Sequence, residues 1–280
     1  LTTVPASPMA GASLAMLEAG GVPAFRTVET CAEALALFMA PQRRRGDAGF
    51  ALPDAAAVLL AGAPAGTLDE VRSGAVFAAL GLARPRQRVL AADEAVPADL
   101  PFPYPVVAKL VSADLPHKTD AGAIALGVAS RDDLVAKIAG MRHSAEAWRP
   151  GYRLDGILVQ EMRRGLGEVL VGLTRDPLVG PVVTVAMGGV MTEIYRDATV
   201  RAAPVTAAEA AGMLDEIRGM AMLRGFRGRP RGDLAALAEA VSAFSRLALC
   251  DRVDEAEINP ILVGAEGEGV VILDALIRTR

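Results

Sequence analysis

Cysteine, histidine and aromatic residues are all scarce in this chain. Cys31 and Cys250 lie far apart, and His117 and His143 are the only histidines. The two cysteines form no metal or redox motif, and no disulfide framework is visible. A reducing, cytoplasmic location is expected. Aromatic residues amount to 4%, and 29 basic residues face 33 acidic ones. Without a basic excess, no nucleic-acid partner is expected. Every apolar run is broken by charge, Pro or Gly well short of the roughly 18 residues a membrane helix needs, so no membrane partner is expected. The opening "LTTVPASPMAGASLAML" lacks the basic start and long apolar middle of a signal peptide. It begins with Leu1 rather than Met, and a fragment or a subunit of something larger is expected. What is plentiful is small and apolar: hydrophobic residues make up 52% of 280, mainly Ala, Val and Leu. That suffices for one large domain or two smaller ones.

Periodicity places the elements. "LAMLEAGG" (14–21) reads as a helix end stopped by glycine. A short strand near Pro23–Arg26 and a helix from about Thr30 follow, the pattern of a parallel α/β tail. Charge, Gly and Pro in "PQRRRGDAGFALPD" (41–54) predict a boundary, with residues 51–66 as linker. "TLDEVRSGAVFAALGL" (67–82) reads as a helix opened by a capping box of Thr67 and Glu70. "RQRVLAA", "YPVVAKLV" and "GAIALGVA" read as strands, and "SRDDLVAKIAGMRHSAEAW" as a helix with acids early and bases late. "GILVQEM" and "EVLVGLTRD" read as strands joined by the turn "RRGLG". "PVVTVAMGGVMTEIY" reads as a strand, a Gly-Gly break and a second short strand. Two amphipathic helices and a closing antiparallel pair, "VDEAEINPILVG" with "GVVILDALIRT", complete the chain. The succession of hairpins and helices after residue 84 is α+β, with antiparallel sheets able to sandwich a ligand.

Several polar residues interrupt this pattern. Lys109 sits mid-strand among Val106, Val107, Leu110 and Val111, so its ammonium must reach solvent or meet an anion. The turn His117, Lys118, Thr119, Asp120, Ala121, Gly122 offers a ring nitrogen for a phosphoryl group, a point charge and backbone N–H groups. A solvated loop histidine is the plainer reading. Gln160, Glu161 and Met162, with Glu168 beyond the turn, suit a hinge whose backbone reads an adenine edge and whose carboxylate binds ribose; ordinary hairpin acids are the alternative. Gly188 and Gly189 permit close approach to a ligand, or form a β-bulge. Alternation puts Glu257 and Asn259 on one strand face, with Asp274 on the partner strand. Hard oxygen donors of this kind hold Mg²⁺ when phosphates complete the shell; a solvated hairpin face is the alternative.

Taken in order, "YPVVAKLVSADLPHKTDAGAIALGV", "GILVQEMRRGLGEVLVGLTRDPLVGPVVTVAMGGVMTEI", "LRGFRGRPRGD" and "AEINPILV" resemble the ATP-grasp part of the NDP-forming acyl-CoA synthetases, the ADP-forming acetate–CoA ligases related to succinyl-CoA synthetase. The resemblance spans about residues 68–280. It implies an ATP-grasp fold, two α+β subdomains sandwiching the nucleotide, over 67–280. Residues 1–50 then resemble the end of a preceding flavodoxin-like CoA-ligase domain. The implied reaction is acyl-CoA + ADP + phosphate ⇌ acid + CoA + ATP, through an acyl phosphate and phosphohistidine. By motif, Lys109 resembles a phosphate-contacting lysine and His117 the phosphoryl carrier, beside Lys118 and Gly122. Gln160 to Met162 resemble the adenine hinge, Glu168 a ribose contact, and Asn259 and Asp274 the Mg²⁺ ligands, with Glu257 a third. ATP/ADP and Mg²⁺ are the implied cofactors, and a CoA-ligase domain or subunit the implied partner, in a homo- or hetero-oligomer. This chain has Gly122, Ala123 and Ile124 where the family often reads "GGV", so the Ala123 methyl is expected to crowd a phosphate. No histidine occurs in residues 1–116 to complete the relay. A ligand-sensing, non-catalytic domain of a protein acetyltransferase is the competing expectation.

Overall fold

The computed structural model describes residues 2–3, 10–25, 27–39, 49–115, 118–188 and 197–280. His117, Gly189 and the second short strand expected before Tyr195 fall outside them. The chain divides into two compact units, Leu1–Gly49 and Phe50–Arg280.

The first unit runs β1 (Thr2–Thr3), α1 (Ala10–Ala19), β2 (Ala24–Phe25), α2 (Val28–Met39). β1 and β2 pair in parallel with α1 between them in sequence, the βαβ connection of an α/β domain. The Thr27 hydroxyl accepts the Thr30 N–H at 3.2 Å, which starts α2 slightly before the expected residue.

The second unit opens with α3 (Asp54–Ala61), inside the stretch expected to be a linker. That expectation is corrected by packing. Ala56 and Leu60 are fully buried and join one core cluster with Val76 and Phe77. Leu60→Ala is expected to cost about 2–5 kcal/mol by urea denaturation; a linker position would cost within about 0.5 kcal/mol. β3 (Gly66–Thr67) leads to α4 (Glu70–Ala79). The expected capping box is absent there. Asp69 is the N-cap, its carboxylate accepting the Arg72 N–H at 2.8 Å, while Thr67 pairs with Arg278 in a sheet. Glu70 is thereby free of a capping role.

β4 (Gln87–Leu90), β5 (Val106–Val111), β6 (Ile124–Val128), α5 (Arg131–Trp148) and β7 (Gly156–Glu161) form the smaller half. Its antiparallel sheet has the order β4-β7-β5-β6. Leu134, Ile138, Met141 and Ala145 form a helical stripe on α5 that buries against Val106, Ala108, Leu110, Ile157 and Val159. Alternation along β5 sends Lys109 to the opposite face. β8 (Gly167–Asp176), β9 (Gly180–Met187), β10 (Ala198–Ala202), α6 (Ala207–Glu216), α7 (Leu234–Ser245), β11 (Val253–Val263), β12 (Val270–Ile272) and β13 (Ala275–Thr279) build the larger half. Its sheet runs β10-β9-β8-β11-β13-β3, with β12 also on β11. α3, α4, α6 and α7 supply the core beneath it, where the Phe77 and Phe244 rings pack at a tilt of 44° with centroids 5.6 Å apart.

β7 and β8, expected to pair across "RRGLG", lie in different sheets. The intervening residues 162–166 cross between the halves, and the hairpin is β8 with β9 instead. A second crossing, at Arg86, lies beside the first: the Glu161 N–H donates to the Arg86 carbonyl at 2.8 Å, and Gln87 pairs with Gln160. Among the described residues no helix is long and apolar enough to cross a membrane.

Candidate functional site

The exposed face of β11 explains where the site forms. Ala256 and Ile258 point into the core, so Glu255, Glu257 and Asn259 point the other way. Ile258 pairs with Ala275, and one step along that ladder brings Asn259 opposite Asp274. These side chains line a cleft of about 370 Å³, whose other wall is the segment after β5, including Ser112, Leu115, Lys118 and Asp120.

Four charges close the cleft at its base. The Lys109 ammonium donates to Glu70 Oε1 at 2.7 Å and to the Leu273 carbonyl at 2.6 Å. The Lys118 ammonium lies 3.2 Å from Glu70 Oε2 and 3.3 Å from Asp274 Oδ1, and Lys109 is 4.0 Å from that same oxygen. Lys109, Lys118 and Glu70 are 3%, 8% and 3% exposed, whereas the Asp274 side chain is 32% exposed. Isolated charges this deep would cost several kcal/mol each, so the ring persists because every member has an opposite neighbour. Burial pushes the Glu70 carboxyl above its ordinary value, against the pull of both lysines. Burial acts the same way on Asp274, but Lys109 and Lys118 outweigh it and hold that carboxyl below its ordinary value. Burial alone would lower the Lys118 ammonium; Glu70 and Asp274 reverse this and raise it. Half-buried Arg84 feels both acids as well, although burial leaves its guanidinium lowered.

The turn carrying Lys118 is closed by its own backbone. The Ala123 N–H donates to the Lys118 carbonyl at 2.7 Å and the Gly122 N–H to the Thr119 carbonyl at 3.1 Å. The Gly122 N–H, in the turn expected to offer backbone N–H groups to a phosphate, is therefore bonded within the turn. Gly122 is required for another reason: its φ is +62°, and a Cβ there would stand 2.8 Å from Cβ of Ser144 on α5. The expected crowding by Ala123 does not arise, because its methyl is fully buried in the smaller core.

The cleft gathers Lys118, Glu257, Asn259 and Asp274 of the expected residues, with Lys109 behind them. Of the other expected residues that are described, Gly122, Gln160, Glu161, Met162, Glu168 and Gly188 do not line it. Gln160 is buried and donates to Gln87 Oε1 at 3.1 Å. Both carboxylate oxygens of Glu161 accept from the Arg86 guanidinium, at 3.0 and 3.2 Å, and its N–H is committed to the Arg86 carbonyl. The N–H and carboxylate of Glu161 are thus occupied within the chain. Met162 is half-buried at the crossing and Glu168 is exposed on β8, opposite Leu262. The Gly188 N–H donates to the Glu168 carbonyl at 2.6 Å, and a Cβ at 188 would stand 2.8 Å from that residue's carbonyl carbon. The close approach expected at Gly188 is thus to backbone of this chain.

Glu70 is the residue that sequence reasoning missed. An acid in a first helical turn is already explained by capping, which masked its role. The usable signal is Lys109, whose ammonium among Val106, Val107, Leu110 and Val111 needs an anion that no other expected site residue was assigned to supply.

A model for an "ATP-grasp domain" matches residues 60–279. The chain belongs to the ATP-grasp family. Its two antiparallel sheets and flanking helices are the ATP-grasp fold, and the expectation of an α+β sandwich holds. Acetate–CoA ligase [ADP-forming] II subunit beta of Pyrococcus furiosus is 33% identical over 211 residues, 74% of this chain and 89% of that one. The crystal structure of PH1788 from Pyrococcus horikoshii Ot3 superposes with a TM-score of 0.76 at 30% identity, over 81% of this chain and 99% of the other. The dinucleotide-forming acetyl-coenzyme A synthetase 1 of Ca. Korarchaeum cryptofilum, in complex with coenzyme A and Mg-AMPPCP, gives a TM-score of 0.64 at 28% identity, over 76% and 93%. In that structure a phosphohistidine segment points towards the nucleotide-binding site. The chain spans only 31% and 24% of two longer curated relatives.

Proposed function

We propose that this ATP-grasp chain is the nucleotide-handling part of an ADP-forming acyl-CoA synthetase. The observation that carries the reading is the cleft itself: a lysine-backed wall facing Asp274, Asn259 and Glu257 across the junction of two ATP-grasp sheets. Lys118, with Lys109 behind it, offers positive charge to nucleotide phosphates. Gln160 to Met162, at the crossing, and Glu168, on β8 just beyond it, bound the adenosine end, with Gly188 joined to Glu168 through its N–H.

The donor set suits a hard cation, since it consists of two carboxylates and an amide oxygen. Among the described residues no three His, Cys, Asp or Glu side chains gather as a metal group. Asp274, Asn259 and Glu257 would hold Mg²⁺ only together with phosphate oxygens and water, and the bound cation would offset phosphate charge.

His117 is proposed as the phosphoryl acceptor, between Leu115 and Lys118, which both line the cleft. In the ATP-consuming direction a bond forms from a ring nitrogen to the γ-phosphorus. The bond to the ADP oxygen breaks, ADP leaves and the ring proton passes to solvent. Acyl phosphate and acyl-CoA formation are assigned to a partner domain or subunit that carries the CoA site. The first unit, with its parallel β1–β2 pair, is proposed as the end of a CoA-ligase domain, and the cytoplasm as the location. The P. furiosus relative is named a subunit, which supports a hetero-oligomer.

Calorimetry tests the reading directly. Wild-type chain is expected to bind ATP with Mg²⁺, and Asp274→Asn to bind it at least about tenfold more weakly. No binding of adenine nucleotide by the wild type would sink the proposal.

A further inference from the structure

Every lysine–carboxylate contact in the charge ring joins the two halves of the ATP-grasp unit. Glu70 opens α4 and Asp274 precedes β13, both in the larger half; Lys109 lies on β5 and Lys118 follows it, both in the smaller. Glu70 alone places one carboxylate oxygen on each lysine, at 2.7 and 3.2 Å. Its side chain is 1% exposed, so no solvent shares its charge. Glu70 also stands outside the set of residues offered to a cation. It is therefore an anion built into the site, sitting where it sets the spacing of the two ammonium groups.

We propose that Glu70 is a positioning residue of the nucleotide site. Its carboxylate fixes Lys109 and Lys118 at the spacing that phosphoryl transfer uses, and competes with the nucleotide's phosphates for their charge. The inference rests on the nucleotide reading above. With two lysines and two acids the ring is neutral. Neutralising Glu70 leaves one positive charge in excess at a desolvated site, which an incoming phosphate chain can satisfy. The lysines then bind anion more tightly while losing the brace that sets their positions. Affinity and rate move in opposite directions, a split that a purely structural residue would not produce.

The test measures tripolyphosphate and ATP·Mg²⁺ binding by calorimetry, and transfer of the γ-phosphoryl label to the chain, in Glu70→Gln and Glu70→Asp. Circular dichroism checks the fold of each. Glu70→Gln is expected to bind tripolyphosphate about tenfold more tightly than wild type and to be labelled about tenfold more slowly. Glu70→Asp keeps the charge but is one methylene too short to reach both lysines. It is expected to bind within about threefold of wild type and to be labelled about tenfold more slowly. A folded Glu70→Gln that binds no tighter than wild type overturns the inference. Should Glu70→Gln fail to fold, Glu70→Asp decides alone: wild-type labelling overturns the inference, and slow labelling at retained affinity supports it. A wild type that binds neither probe overturns the nucleotide reading, and this inference with it.

Discussion

Replacing His117 by alanine is expected to leave ATP·Mg²⁺ binding intact and to abolish transfer of the γ-phosphoryl group to the protein. A ring nitrogen can take the phosphoryl group because its lone pair survives at neutral pH; a methyl group offers none. The loss should reach the assay background, on the order of 10⁴-fold or more for removal of a nucleophile. Wild-type chain incubated with labelled ATP should carry an acid-labile, base-stable label, and His117→Ala none. A label that persists in the variant would move the acceptor elsewhere, with His143, exposed on α5, the first position to substitute.

Lys109→Met is expected to be the most destabilising change at the site. Methionine has nearly the right volume, so the main effect is electrostatic. Glu70 loses its 2.7 Å partner and the Leu273 carbonyl loses its donor, both in buried surroundings. Removing one member of a buried ion pair costs about 3–5 kcal/mol. Urea denaturation without nucleotide should show that loss. Less than about 1 kcal/mol would mean that Lys118 alone satisfies Glu70. The sequence motif points to Lys109 as a direct phosphate contact. In the structure Lys118 lines the cleft and Lys109 stands behind it, so Lys109 is proposed to act on a ligand through charge and through the ring.

Much of this fold can be read from periodicity. Apolar and β-branched runs locate β4 to β9 and β11, but not β10, and they read β12 and β13 as one strand; the acidic first turn locates α5. What periodicity does not carry is partnership. β7 and β8 are both apolar strand-like runs separated by five residues, which describes a hairpin equally well as a crossing between sheets. Composition misled at α3, where Ala, Gly and Pro suggest a linker although Pro53 and Gly62 bracket a helix with Leu60 facing inward. The site divides the same way. Asn259 and Asp274 were legible because strand alternation fixes which face a residue takes. Glu70 was not, because the contact that defines it joins residues 39 and 48 positions apart in sequence.

The smaller half, residues 87–161, is one uninterrupted length of chain whose two ends lie side by side at the Gln87–Gln160 pair, fastened by Arg86 to Glu161. In topological terms it is an insertion: without it, the flanking segments would already be neighbours. Changes of length or sequence inside it need not disturb the core built around Phe77 and Phe244. The two halves are thus free to diverge at separate rates, except at the ring, where Lys109 and Lys118 on one side and Glu70 and Asp274 on the other must change together or not at all.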